Sequence, residues 1–339
     1  GSGTLISAFG DKYKGKFEKG RQHGKGTMTY AETLDGIKQF RGQWQYGRLI
    51  EADQPRLAIP SSTLVEYALY HQTEQLENAW SQLVDHDKSK IDLYFVGVAG
   101  DGRQGVFRRE VDFIQSQFDA HYGTSGKSIS LINGSWDYDK KPLATVTSIE
   151  QTLRKTAEKM DKENDILFVY LTSHGSREFT LQLSQSGFQL ESLSAPTLAK
   201  VLKSLPVKHK VVVISACYAG GFITQIKDDY TMVIAAADAD KTSFGCRDQA
   251  SMTYFGEALF KDALPQSTSF SDAFYRARDI VRGREAKEGY EYSNPLIFKP
   301  KAIVAKLAEW RQQLRDDRQQ EEHVFRSTVE STVGSQSLK

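Results

Sequence analysis

Two cysteines, Cys217 and Cys246, stand in 339 residues. They are too few for a disulfide framework. No histidine pair at ligand spacing joins them, so they do not make a zinc site either, and neither a metal nor a cofactor is expected. Charge of one sign is missing too: Lys and Arg number 44, Asp and Glu 43, and the net charge is +1. That balance leaves no nucleic-acid footprint. No apolar run approaches the ~18 residues of a membrane span, so no transmembrane segment is expected. A secretory signal is absent as well. Gly1-Ser-Gly3 reads as a cloning scar, so a targeting segment can have been removed; the compartment stays open, with cell envelope, periplasm or secretion set ahead of the cytoplasm. The length allows a sizeable core and more than one module.

What is present is organised around two stretches of the same grammar. In Lys210-Val-Val-Val-Ile-Ser-Ala-Cys-Tyr-Ala-Gly-Gly-Phe222, a β-branched run reads as a strand buried on both faces of a parallel sheet. It ends in Cys217 and then in small residues that turn the chain into a helix. In Asp165-Ile-Leu-Phe-Val-Tyr-Leu-Thr-Ser-His-Gly-Ser176, an apolar strand ends in His174 and Gly175. Open α/β sheets place ligands at the carboxyl ends of their strands, so neighbouring parallel strands of this kind bring imidazole and thiol to one edge. Taken singly, Cys217 is a buried structural cysteine and His174 a strand-end histidine. Taken together with Gly175, Gly220 and Gly221, they read as a nucleophile and its base. The thiolate attacks a carbonyl, the N–H groups of Gly175 and Cys217 receive the oxyanion, and His174 serves as acid and then base.

The rest of the chain divides around this centre. Residues 11–50 form a separate module in which Tyr13-Lys-Gly-Lys-Phe-Glu-Lys-Gly20 is echoed by Phe40-Arg-Gly-Gln-Trp-Gln-Tyr-Gly47. A turn is expected at Gly24-Lys-Gly26, a returning strand over Thr27 to Tyr30, and an inserted loop over Ala31 to Lys38. The repeat resembles MORN motifs, which implies β-hairpins with aromatic packing and a surface for protein or lipid docking; a small sheet glued to the main domain is the plainer reading. Residues 51–90 are a linker and a helix, opened by Thr63-Leu-Val-Glu66 as a capping box and reaching Val84. Residues 91–300 alternate strand and helix, which argues a mostly parallel sheet flanked by helices, an α/β fold. Within it Thr147 is expected to cap a helix over Ser148 to Met160, Phe179 to Leu190 to form a hairpin, and Gln249 to Leu264 a helix. The glycine-rich Ala99-Gly-Asp-Gly-Arg-Gln-Gly105 is in neither Rossmann nor Walker register and reads as a loop shaping a substrate cleft. Residues 301–339 begin as an amphipathic helix, with Ser327 to Lys339 expected to be disordered.

The His-Gly and Ala-Cys strand ends resemble the caspase–legumain group of cysteine peptidases, and the surrounding residues most resemble the legumain family. The resemblance covers roughly residues 90–260 and implies a caspase-like fold, a polypeptide substrate and catalysis by His174, Cys217 and Gly175. Phe107-Arg-Arg-Glu-Val-Asp-Phe-Ile114 is similar to the family stretch that carries the pocket arginine, which falls on Arg108. Ser243-Phe-Gly-Cys-Arg-Asp-Gln249 is similar to the segment of the pocket aspartate, which falls on Asp248. Surface salt bridging is the plainer reading of both. Three positions depart from the pattern. Ser215 stands where the family has an acid two residues before the cysteine, Ser173 where it has an aspartate before the histidine, and Val106 where it has the asparagine that supports the histidine. Arg108, Asp248 and Ser215 would line a pocket suited to asparagine, with aspartate second. The reading is a cysteine endopeptidase cleaving after Asn or Asp; the alternative is a weak or inactive scaffold of the same fold that binds partners through the hairpins and tail.

Overall fold

The computed structural model describes residues 1–7, 10–34, 36–246 and 250–336. Its N-terminal part is a five-stranded antiparallel sheet in sequential order: β1 (Ser2–Ile6), β2 (Lys12–Glu18), β3 (Arg21–Leu34), β4 (Ile37–Gln45) and β5 (Arg48–Ala52). The sequence repeat is a structural one. Each copy is a strand followed by a two-residue turn, Lys19-Gly20 and Tyr46-Gly47, and all four turn residues have positive φ, the conformation that matches hairpin twist. The repeat glycines leave room for rings: a Cβ at Gly15 or Gly26 would collide with Tyr13, and one at Gly42 would press on Trp44. Tyr13, Ile37, Phe40 and Trp44 make the small buried core of this sheet. Two expectations fail here. Gly24-Lys-Gly26 is not a turn, because β3 runs through it paired to both neighbours, and the expected insertion over Ala31 to Lys38 extends the β3–β4 hairpin to the pair Leu34–Ile37.

A short 3₁₀ turn over Pro55–Ala58 leads to α1 (Ser61–Ser81). The expected capping box does not form: the cap falls three residues earlier, at Pro60, and leaves Thr63 and Glu66 inside the helix. The chain then alternates through β6 (Leu93–Ala99), α2 (Gly105–His121), β7 (Ser128–Ile132), α3 (Val146–Lys159), β8 (Ile166–Thr172), β9 (Thr180–Leu181), β10 (Leu193–Ser194), α4 (Ala195–Ser204), β11 (His209–Ser215), α5 (Gly220–Ile226) and β12 (Thr231–Ala235). It closes with α6 (Tyr254–Gly256), which widens into a π-helix over Glu257–Ala263, then α7 (Phe270–Glu288), β13 (Leu296–Phe298) and α8 (Lys301–Gln336). Thr145, not Thr147, caps α3, trading hydrogen bonds with Ser148 in a true capping box. The hairpin expected over Phe179 to Leu190 shrinks to β9, which pairs with β10. The helix expected from Gln249 starts at Tyr254 with Thr253 as its cap. The tail remains helical to Gln336: it holds no proline and no glycine before Gly334, and its Gln, Glu and Arg residues favour helix.

β13-β12-β11-β8-β6-β7 is the order of the main sheet, parallel throughout except for the edge strand β13. Every residue of β6, β8 and β11 is buried. The side chains of β11 alternate between two cores: Val212 and Ile214 join α1, α3, α4 and α5 on one face, Val211 and Val213 join α2, α7 and α8 on the other. This is why its sequence is continuously apolar and not alternating. The N-terminal sheet is seated on the main domain by Trp136, which packs on the Tyr13 cluster, and by a bidentate Arg56–Asp139 pair at 2.9 and 2.7 Å.

Asn133, just after β7, fixes the loop between β6 and α2. Its buried amide donates to Gly100 O and Ala144 O, each at 2.9 Å, and accepts from Ala144 N at 3.0 Å. Asn133→Ala strands the N–H and C=O of Ala144, while Gly100 O keeps its bond from Ser184 N at 2.8 Å, and should cost about 2 kcal/mol in urea unfolding; a loss within experimental error of zero would mean that this loop is held elsewhere.

Candidate active site

The two central strands of the sheet, β8 and β11, pair in register, Thr172 opposite Ser215. Each then runs two residues further, one to His174 and the other to Cys217. The strand ends touch: Ser173 N–H donates to Ser215 O at 3.3 Å, and a Cβ at Gly175 would collide with the carbonyl oxygen of Cys217. Glycine at 175 is therefore a steric requirement of the close approach. After Cys217 the chain turns through Tyr218 at φ +58, a conformation that costs a non-glycine residue on the order of 1 kcal/mol. α5 then packs tightly, with Gly221 against the ring of Phe179 and Gly220 against the Asp238-Ala239 backbone.

His174 is held from three sides. Its carbonyl accepts from Gln182 N at 2.9 Å, its ring meets Phe107 edge to face at 5.2 Å, and its Nε2 lies 2.8 Å from Gln104 Oε1. An amide oxygen only accepts, so Nε2 carries the hydrogen and Nδ1 keeps its lone pair. Gln104 occupies the cap position of α2, yet makes no capping bond; its side chain is committed to the imidazole instead. The histidine thus has an orienting partner, although Val106 cannot supply one. Asp101, fully buried, lies 4.0 Å from His174 Nε2 and is paired to Arg103 at 2.6 Å. Burial pulls the His174 pKa below its ordinary value of 6.5; Asp101 opposes that shift and Arg103 adds to it. The loop carrying these groups is tied to β8 by Gly100 N to Thr172 O at 2.9 Å and to the β9 side by Gly102 N to Ser184 O at 2.7 Å. Gln104 and Asp101 were missed from sequence. The usable signal was an amide at a helix cap, two residues before the position where the supporting residue was sought.

The sulfur of Cys217 accepts from Ser243 N at 3.3 Å. Among the described residues no acceptor faces the N–H of Gly175 or of Cys217. Cys246 has a different environment, packed against the second core, and burial pushes its thiol up to about 12.

The three expected pocket residues are not brought together by hydrogen bonds among the described residues. Arg108 is buried against Asp112 at 3.0 Å, Asp137 at 3.5 Å and the ring of Trp136 at 5.6 Å. Ser215 faces inward, where its hydroxyl meets Thr253 Oγ1 at 3.0 Å. Asp248 lies outside the described residues. Beside Ser215, Thr253 N–H donates to Glu110 at 2.6 Å and Tyr170 OH donates to the same carboxylate. Glu110 is completely buried, which raises its pKa against the pull of those donors. A buried acid therefore does stand next to position 215, contributed by α2 and not by β11. Arg108 instead lines a cavity of about 180 Å³ together with Gln104, Arg56, Arg103 and Arg109, and the tip of the β3–β4 hairpin forms one wall through Leu34 and Ile37. No Asp or Glu is among its described lining residues. Among the described residues no group of three His, Cys, Asp or Glu side chains could hold a metal, and no helix is long and apolar enough to cross a membrane.

β8 and β11 thus end side by side at one edge of the sheet, the first running on to His174 and the second to Cys217. Residues 145–297, which contain β8, β11, His174 and Cys217, match the Peptidase C13 family. Among solved structures, caspase-1 from Spodoptera frugiperda is similar at 14% identity with a TM-score of 0.43, over 64% of this chain and 88% of that one. No curated protein matches.

His174 should titrate below pH 6.5 when its ring proton is followed by NMR. Asp101→Asn should lower it further, because the substitution removes the charge that favours the imidazolium and leaves Arg103 in place. An upward movement would contradict the proximity of these groups.

Proposed function

We propose that the protein is a cysteine endopeptidase in which His174 and Cys217 form the catalytic dyad. The observation that carries this reading is the in-register pairing of β8 with β11, which ends both strands beside each other, with the His174 ring oriented by Gln104. The Cys217 thiol gives its proton to Nδ1 of His174, and the sulfur attacks the scissile carbonyl. The tetrahedral oxyanion is received by the N–H groups of Gly175 and Cys217, which are free to donate. As the C–N bond breaks, the imidazolium returns the proton to the departing amine, leaving a thioester. His174 then takes a proton from water, hydroxide attacks the thioester, and the acid product leaves with the thiol restored.

The residue before the cut is proposed to be Asn or Asp. Arginines supply only donors, and although Arg56, Arg103 and Arg108 are paired to carboxylates behind it, the cavity beside Gln104 presents guanidiniums and no carboxylate among its described lining residues, which favours a side chain that accepts hydrogen bonds and disfavours Lys or Arg. Fluorogenic peptides that differ only at that residue, assayed with the protein and with Cys217→Ala and His174→Ala, test both parts. Either substitution should lower kcat/KM by about 1000-fold or more with little change in melting temperature, and turnover should follow Asn and Asp. Activity kept within about tenfold would overturn the dyad. Preferred cleavage after Arg would overturn the pocket.

A docking role for the N-terminal sheet is a second reading, resting on Leu5, Ile6, Tyr46 and Ile50, which are exposed on it. Flotation with anionic liposomes should carry the full chain, and should fail for Leu5→Ser/Ile6→Ser/Ile50→Ser; flotation of both or of neither removes the lipid form of this reading.

A further inference from the structure

At the far end of α2, roughly 25 Å along the helix from Gln104, lies a groove of about 710 Å³ between α2, the turn after the π-helix and α8. Its size is that of sites for small molecules. Three of its described lining side chains are cations, Arg311, Arg315 and Arg318, and no Asp or Glu is among the described lining residues. Arg315 and Arg318 are exposed, one hydrogen-bonded to Gln312 and the other to His121 O. Among the described side chains, Asp316 of α8 is turned to Gln312 and Asp317 to Lys90.

Arg311 is the unusual member. Its guanidinium lies 5.4 Å from the ring centre of Tyr122, 5.6 Å from Phe270 and 6.0 Å from Trp310. One nitrogen, Nη1, reaches Ser267 O at 3.4 Å. Nε and Nη2 are shut off from solvent and have no acceptor among the described residues. Donors left in that condition are costly, and native proteins rarely tolerate them without a ligand, ion or water to answer them. The same wall carries an unanswered acceptor, Gln117 Oε1, whose amide nitrogen is already used on Phe260 O at 2.8 Å. The aromatic rings fix the guanidinium before anything binds, so little ordering is lost when an anion arrives. A planar fork of donors fits the two oxygens of a carboxylate or phosphate, and two further guanidiniums at the rim draw charge of the same sign.

We propose that this groove is a binding site for a small polyanion, with Arg311 as its anchor and Arg315 and Arg318 as its rim. Phosphate and carboxylate share the required chemistry, and the two are separated by the probe. Isothermal titration of the full chain at low salt with tripolyphosphate and with citrate should give saturable binding of at least one, and the tighter of the two names the group that the site prefers. Arg311→Gln should weaken that binding about tenfold to a hundredfold. The exposed pair Arg315→Ala/Arg318→Ala, which leaves the core untouched, should weaken it about tenfold or more, while Arg154→Ala on α3 should leave it unchanged. Failure of both probes to bind overturns the proposal, as does binding that Arg154→Ala weakens as much as the groove variants do.

Discussion

Everything at the candidate site depends on one constraint: β8 and β11 lie side by side, parallel and in register, and the chain beyond them comes so close that residue 175 has no room for a side chain. The pairing alone decides which residues meet. A shift of one residue would exchange the two faces of a strand and change which residues lie opposite each other at the strand ends. Register is fixed because both strands are buried on both faces, with alternate residues locked into separate cores. The stability of the sheet and the geometry of the thiol and imidazole are thus one property, and the left-handed turn at Tyr218 is held by the same packing.

Much of this was legible in the amino-acid sequence. Long apolar runs that end in His-Gly and Ala-Cys specify buried strands and their tips, because a strand covered on both faces has no polar positions to alternate. The aromatic–glycine repeat at the N-terminus was legible as hairpins for a similar reason: the glycines make space for the rings beside them. What escaped was long-range. Gln104 is seventy residues from His174 in sequence, and only the folding of the β6–α2 loop onto β8 brings it there. Ser215 reads as a pocket residue from its place near Cys217; what the sequence does not show is that it is buried with its hydroxyl against Thr253. The buried carboxylate of Glu110 was hidden because a glutamate one turn into a helix carries no signal of its own burial.

The N-terminal sheet is more closely tied to the main domain than its composition suggests. Trp136 belongs at once to the core of that sheet and to the surroundings of Arg108, while the hairpin tip closes the cavity beside Gln104. A module that reads as an appendage in one dimension shares a cavity with the β6–α2 loop in three. Gly15 and Gly26 leave the space that the Tyr13 ring takes up, and Gly42 the space beside Leu49 and Trp44.

The most direct test of the account is covalent labelling of the folded chain with a peptidyl electrophile, followed by mapping of the adduct by mass spectrometry. The two cysteines serve as each other's control, since burial holds the Cys246 thiol near 12 and leaves it protonated at neutral pH. The account predicts one adduct on Cys217, none on Cys246, and loss of labelling when His174 is replaced by Ala. Equal labelling of both cysteines, or labelling of Cys217 that does not depend on His174, would contradict it.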